Sequence, residues 1–128
     1  MNENAKKWVA ALRSGDYDQG INCLQFEDHY CCLGVACKVY ETETGVTLKS
    51  EKRWPGSKKE KLIGEDLTPY RDVKEWLGLN TVSGTFDSRV QGANSLIDLN
   101  DGTGLTFSQI ADVIESEPKG LFKDEERS

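Results

Sequence analysis

The stretch Cys23-Leu-Gln-Phe-Glu-Asp-His-Tyr-Cys-Cys-Leu-Gly-Val-Ala-Cys37 holds all four cysteines and the only histidine of this 128-residue chain. Thiolate and imidazole are the usual ligands of zinc and the usual parts of a nucleophilic enzyme, so both chemistries have to be weighed here. Cys23, His29, Cys31, Cys32 and Cys37 are all zinc-ligand types. Structural zinc knuckles, however, space their ligands by roughly two to five residues, and only the His29/Cys32 and Cys32/Cys37 pairs approach that pattern. Adjacent cysteines on a strand also point to opposite faces. For a nucleophile, Cys32 is expected beside a helix N-terminus, where exposed N–H groups lower a thiol pKa. Yet His29 and Cys32 project to opposite faces of the expected hairpin, and there is no second histidine to serve as base. The favoured reading is therefore small apolar thiols packed beneath a helix, with no metal, no disulfide and no cofactor. The group Cys23, His29, Cys32 and Cys37 is the alternative metal set, and a cysteine-dependent enzyme the corresponding alternative function.

A second constellation is Arg53, Trp54, Lys58 and Lys59, with Tyr70 and Arg89 as further candidate members of a ligand-binding site. An aromatic ring among cations is what a nucleotide site uses, stacking for the base and charge for the phosphate. Between Lys49 and Lys74 eight basic residues face five acidic ones, although the whole chain carries a net charge of −6. Neither glycine-rich phosphate motif, G-x-G-x-x-G or G-x(4)-G-K-[ST], occurs anywhere. The acidic body repels duplex nucleic acid and anionic membrane surfaces at long range, which removes both as expected partners.

The elements that must position these residues follow from apolar spacing and stop signals. Asn4 is expected to cap a first helix whose Ala5, Trp8, Ala11 and Leu12 share a face, ended by Ser14-Gly15. Ile21–Phe26 and His29–Cys32 read as two strands turning at Glu27-Asp28, with Leu24 opposite Cys31 and Cys23 opposite Cys32. A second helix runs from about Leu33 to Thr44, burying Leu33, Ala36, Cys37 and Tyr40, with Gly45 as its stop. Residues 46–66, containing Trp54-Pro55-Gly56-Ser57, show no period and read as a long loop with one short strand at most. Thr68 and Pro69 open a third helix that turns Val73, Trp76 and Leu77 inward and closes at Gly78. Thr81–Val90 reads as irregular or extended, and a short helix follows near Asn94–Leu99. The last helix has a capping box over Thr106–Gln109, a Leu105/Ile110 staple and a stripe of Phe107, Ile110, Ala111 and Ile114.

A chain of this length suits one domain with its own core. The expectation is a single small α+β domain over residues 1–117, with an N-terminal helix, a short β-hairpin and three or four further helices, and a disordered charged tail over 118–128. The chain shows neither the apolar core of a signal peptide near Met1 nor an apolar run long enough for a bilayer, so a cytoplasmic location is expected.

Several motifs recur together: Trp8-Val-Ala-Ala-Leu-Arg-Ser-Gly-Asp-Tyr-Asp-Gln-Gly20, Tyr30-Cys-Cys-Leu-Gly-Val35 with Leu24 and Cys37, Val73-Lys-Glu-Trp-Leu-Gly-Leu79, Leu96-Ile-Asp-Leu-Asn-Asp-Gly102 and Phe107–Glu115. In order and spacing the chain resembles a family of small proteins encoded by tailed bacteriophages and prophages, over most of its length outside residues 46–66 and the tail. The resemblance carries over no catalytic residues. It implies an accessory phage product acting in the host cytoplasm, in host takeover or defence evasion. The expected role is non-catalytic binding and inhibition of a host bacterial protein. The alternative partner is a nucleotide immune signal sequestered by the basic Trp54 loop.

Overall fold

The N-terminal helix starts one turn-defining side chain earlier than its spacing suggests. In the computed structural model, which describes residues 1–52 and 54–123, α1 spans Glu3–Ser14 and is capped by Asn2, whose side-chain oxygen accepts the Ala5 N–H at 2.8 Å. Asn4, the expected cap, instead joins Asn2 in donating to the Trp76 carbonyl, at 3.0 and 3.1 Å. Both side chains are thereby committed to a residue distant in sequence. Ala5, Trp8, Val9 and Leu12 form the buried stripe.

Three short strands follow: β1 (Asp18–Gln19), β2 (Gln25–Phe26) and β3 (His29–Tyr30). β2 and β3 form the expected hairpin about Glu27-Asp28, pairing Gln25 with Tyr30 and Phe26 with His29. Continuing that register sets Leu24 against Cys31, and the Cys31 N–H donates to the Leu24 carbonyl at 3.2 Å. The strands are shorter than expected because Asn22 turns left-handed (φ 70) and Cys32 already begins a helix, so Cys23 does not meet Cys32. β1 pairs parallel to β3, an addition that no local pattern announced.

Helix α2 (Cys32–Thr44) buries Cys32, Leu33, Gly34, Val35, Ala36, Cys37 and Val39. The Trp8 indole N–H donates to the Cys32 carbonyl at 2.9 Å, tying α1 to the first turn of α2. Gly34 has a steric reason: a Cβ there would lie 1.9 Å from the Leu24 carbonyl oxygen.

Residues expected to be loop contain a second hairpin, β4 (Ser50–Lys52) with β5 (Glu60–Leu62). Its strands are too short and too polar to show a period. Helix α3 (Arg71–Leu77) starts later than expected, because Asp66 accepts the Thr68 N–H at 2.9 Å and the Tyr70 N–H bonds to Leu67 O, making a turn of Thr68 and Pro69. A third hairpin, β6 (Thr85–Val90) with β7 (Ala93–Ser95), leads through the Ser95 cap into α4 (Leu96–Asp101). Helix α5 (Phe107–Glu115) carries the expected capping box in full and buries Phe107, Ile110, Ala111, Val113 and Ile114.

The architecture is a small single α+β domain. Helix α1 packs on α2 and α5, and α4 on α2, α5 and β7, around a core that includes Trp8, Leu24, Leu33, Leu77, Leu99 and Ile114. It extends beyond the expected boundary at residue 117. Leu121 is fully buried, its carbonyl accepts the Asn80 N–H at 3.0 Å, and the Lys123 N–H donates to Gly78 O at 2.7 Å. Residues 124–128, the remainder of the expected tail, lie outside the described residues. No helix among the described residues is long and apolar enough to cross a membrane.

Candidate functional site: the Trp54 cleft

Packing is what three of the four cysteine thiols provide. Cys31, Cys32 and Cys37 are buried. Burial pushes the Cys31 thiol up to about 12 and raises Cys32 and Cys37 as well. Cys32 does occupy the first position of α2, but loss of solvent outweighs the backbone N–H groups that would favour its thiolate. Its Sγ lies 3.7 Å from the Leu96 carbonyl. His29 is exposed on β3, and Cys23, half-buried, contacts Gln25 O at 3.4 Å. The metal set Cys23, His29, Cys32 and Cys37 is not assembled: among the described residues no three His, Cys, Asp or Glu side chains stand together to hold an ion.

The β4–β5 hairpin builds the other site. Pro55 and Gly56 turn the chain so that the Ser57 N–H donates to Trp54 O at 2.9 Å. Buried Ser57 then bonds both ways to the Lys59 backbone through its hydroxyl, at 3.2 Å each. At the other end of the hairpin the Tyr70 hydroxyl sits between the strands, accepting the Ile63 N–H at 2.8 Å and donating to Lys49 O. The hairpin is joined to the β2 edge by the Leu24 N–H, which donates to Gly64 O at 2.9 Å. One step further along, the edges are bridged by the Gln25 side chain, which accepts the Leu62 N–H at 3.0 Å and donates to Glu27 O at 2.8 Å.

Beyond that amide the two edges part, leaving a cleft of about 540 Å³ lined by Gln25, Glu27, Asp28, Trp54, Ser57, Lys58, Lys59, Glu60 and Lys61. Trp54 is 55% exposed, the most open large apolar side chain among the described residues. Charges of both signs line the walls. Lys61 pairs with Glu51 at 3.3 Å, and Glu60 accepts the Ser50 hydroxyl at 3.0 Å. Among the described residues no carboxylate lies within ion-pair distance of the Lys58 or Lys59 ammonium.

Of the candidate ligand residues, Trp54, Lys58 and Lys59 are brought together here, and Arg53 lies outside the described residues. Tyr70 and Arg89 do not belong to the cleft. Tyr70 is buried and spends its hydroxyl on the hairpin backbone. Arg89 stands on β6 with its guanidinium on Gly92 O. Sequence reasoning missed Gln25, Glu27, Asp28, Glu60 and Lys61. The first three arrive from the other hairpin, and only the pairing of Leu24 with Gly64 brings them in; the alternating polar run Glu60-Lys61 was the one available local signal.

The described residues thus present an exposed aromatic ring in a cleft of mixed charge, on an α+β domain whose Cys31, Cys32 and Cys37 thiols are buried elsewhere. The chain belongs to the family described as Domain of unknown function (DUF8296), matched over residues 1–118. No curated protein and no solved structure matches it.

Proposed function

We propose that this protein is a phage accessory protein of host takeover or defence evasion, which binds and inhibits a host bacterial protein in the host cytoplasm without catalysis, using the Trp54 cleft. The observation that carries the reading is the cleft itself. A half-exposed tryptophan ringed by Lys58, Lys59 and Lys61 on one side and Glu27, Asp28 and Glu60 on the other has the anatomy of a protein-binding hot spot, an aromatic anchor within a polar rim. A dedicated phosphate site needs a surplus of positive charge, and here the carboxylates offset it. The phage origin rests on the motif resemblance, above all Tyr30–Val35 and Val73–Leu79. The cysteine-enzyme alternative is weakened by the burial of Cys31, Cys32 and Cys37.

The test is affinity capture from phage-infected cells with wild type and Trp54→Ala side by side. A host protein retained by wild type and lost by the variant is expected. Equal retention by both would move the interface elsewhere, and capture of nothing by wild type would reject the reading.

One observation favours the nucleotide reading as a second. The cleft volume of about 540 Å³ falls in the range of roughly 300–1,000 Å³ typical of small-molecule sites, and among the described residues no carboxylate lies within ion-pair distance of Lys58 or Lys59 there. Calorimetry against cyclic and ADP-ribose-type nucleotides decides: micromolar binding by wild type that disappears on combined Trp54→Ala, Lys58→Ala and Lys59→Ala substitution would put sequestration first.

A further inference from the structure

We infer that the occupant of the cleft is an extended acidic segment of the partner, added as a strand to the outer edge of β5; this rests on the protein-binding reading above. The backbone geometry points to it. In an antiparallel pair, residues alternate between those whose main-chain groups face the partner strand and those whose groups face away. The Tyr70 hydroxyl fills the gap between Ile63 N–H and Lys49 O, so these two residues face each other across the hairpin. Counting along the register, Glu51 and Lys61 do the same, while Leu62 and Glu60 turn outward. Leu62 confirms the phase, since its N–H leaves the hairpin to meet the Gln25 side-chain oxygen at 3.0 Å.

Gln25 thus occupies one rung of a strand-sized slot between β2 and β5. The next outward rung, roughly 7 Å along, belongs to the Glu60 backbone, and Glu60 lines the cleft. An extended chain entering there continues the row of hydrogen bonds that Leu24–Gly64 and Gln25–Leu62 begin. Main-chain bonds of this kind supply affinity in strand addition, while side-chain pockets supply selectivity. Selectivity here comes from Lys58 and Lys59, which have no ion-pair partner among the described residues, and from the exposed face of Trp54. Glu60 turns its carboxylate toward β4, onto the Ser50 hydroxyl. Glu27 and Asp28 line the cleft from the turn of the facing β2–β3 hairpin.

The probe is a terminally blocked octapeptide alternating Val and Glu, titrated into the isotope-labelled full chain, with a Val/Lys peptide as control. The Val/Glu peptide should bind saturably and slow hydrogen exchange of the Glu60 amide while leaving Lys61, already inside the ladder, unchanged. Glu60→Pro, which removes the outward N–H at an edge position that tolerates proline, should weaken binding about tenfold, the equivalent of one hydrogen bond; Glu60→Ala should not. Because Glu60→Pro could disturb the hairpin, Lys58→Glu with Lys59→Glu provides a second variant, expected to abolish binding with an unchanged fold. An unprotected Glu60 amide in the bound state, equal binding of the Val/Lys peptide, or no saturable binding would overturn the inference. The Val/Glu peptide should also displace any host protein captured by wild type. A captured protein that the peptide does not displace refutes strand addition and leaves the proposed function standing; peptide binding with Glu60 protection but no captured protein does the reverse.

Discussion

The cysteine segment and the Trp54 hairpin are opposites. Residues 23–37 are crowded with side chains able to do chemistry, and the fold buries most of their thiols; residues 54–61 contain no recognised motif and supply most of the cleft lining, with Gln25, Glu27 and Asp28 on the other wall. What separates them is solvation. A thiol is nucleophilic only as a thiolate, and desolvating Cys31, Cys32 and Cys37 disfavours that form. A tryptophan contributes to binding only where a partner can cover it, and Trp54 is left open. Residue type proposes a chemistry; exposure decides whether it is used.

The contrast can be broken most forcefully at Gly34. Gly34→Ala drives a Cβ to 1.9 Å from the Leu24 carbonyl oxygen, a rigidly attached methyl against backbone, so neither side can yield cheaply. A loss of about 3 kcal/mol or more is expected by denaturant titration. A loss below 1 kcal/mol would mean that α2 and the β2–β3 hairpin are not locked together as described. Leu24→Ala, which empties a fully buried position in the same contact, should cost about 2–5 kcal/mol, and a surface-like value would equally undo the claim that this segment is core.

The thiols themselves give a pH test. Burial raises the folded pKa of Cys31 from an ordinary 9.0 to about 12, so its contribution to stability is complete below pH 9 and is lost as pH rises toward 12. Stability should fall there by about 1.4 kcal/mol per pH unit for each such thiol. Cys31→Ala should show a shallower alkaline slope than wild type. Identical slopes would return a reactive, solvent-reached cysteine to consideration. In the native protein at neutral pH, a thiol reagent should find Cys23 well before the other three.

Tyr70→Phe sharpens the other side. Removing the hydroxyl leaves Ile63 N–H and Lys49 O without their shared partner, at about 1–3 kcal/mol, and should loosen the hairpin enough to weaken partner binding as well. Binding reduced without any loss of stability would instead place Tyr70 in contact with the ligand. The smallest stability effect belongs to Trp54→Ala, expected within about 0.5 kcal/mol while abolishing capture. A large destabilisation there would make Trp54 a structural residue and dissolve the contrast.

Much of the scaffold was legible because it is written locally. The Thr106/Gln109 box, the stops at Gly15, Gly45 and Gly78, and the Leu24/Cys31 register each depend on neighbours a few residues apart. Asn2 and Asn4 are both good caps by residue type, and both donate to the Trp76 carbonyl; only the Ala5 N–H bond to the Asn2 side chain distinguishes their roles.

By itself, then, the sequence determined the class of fold, the helical stripes and the turn of the first hairpin, since periodicity and capping are short-range physics. Tertiary structure alone decided the β1–β3 pairing, the second hairpin and the docking of residues 119–123. It also decided the cleft. Trp54 and Gln25 are strangers in the chain, made neighbours by one backbone bond from Leu24 to Gly64 and one side-chain amide, and the hydrogen bonds that place them carry no signature in the spacing of either segment.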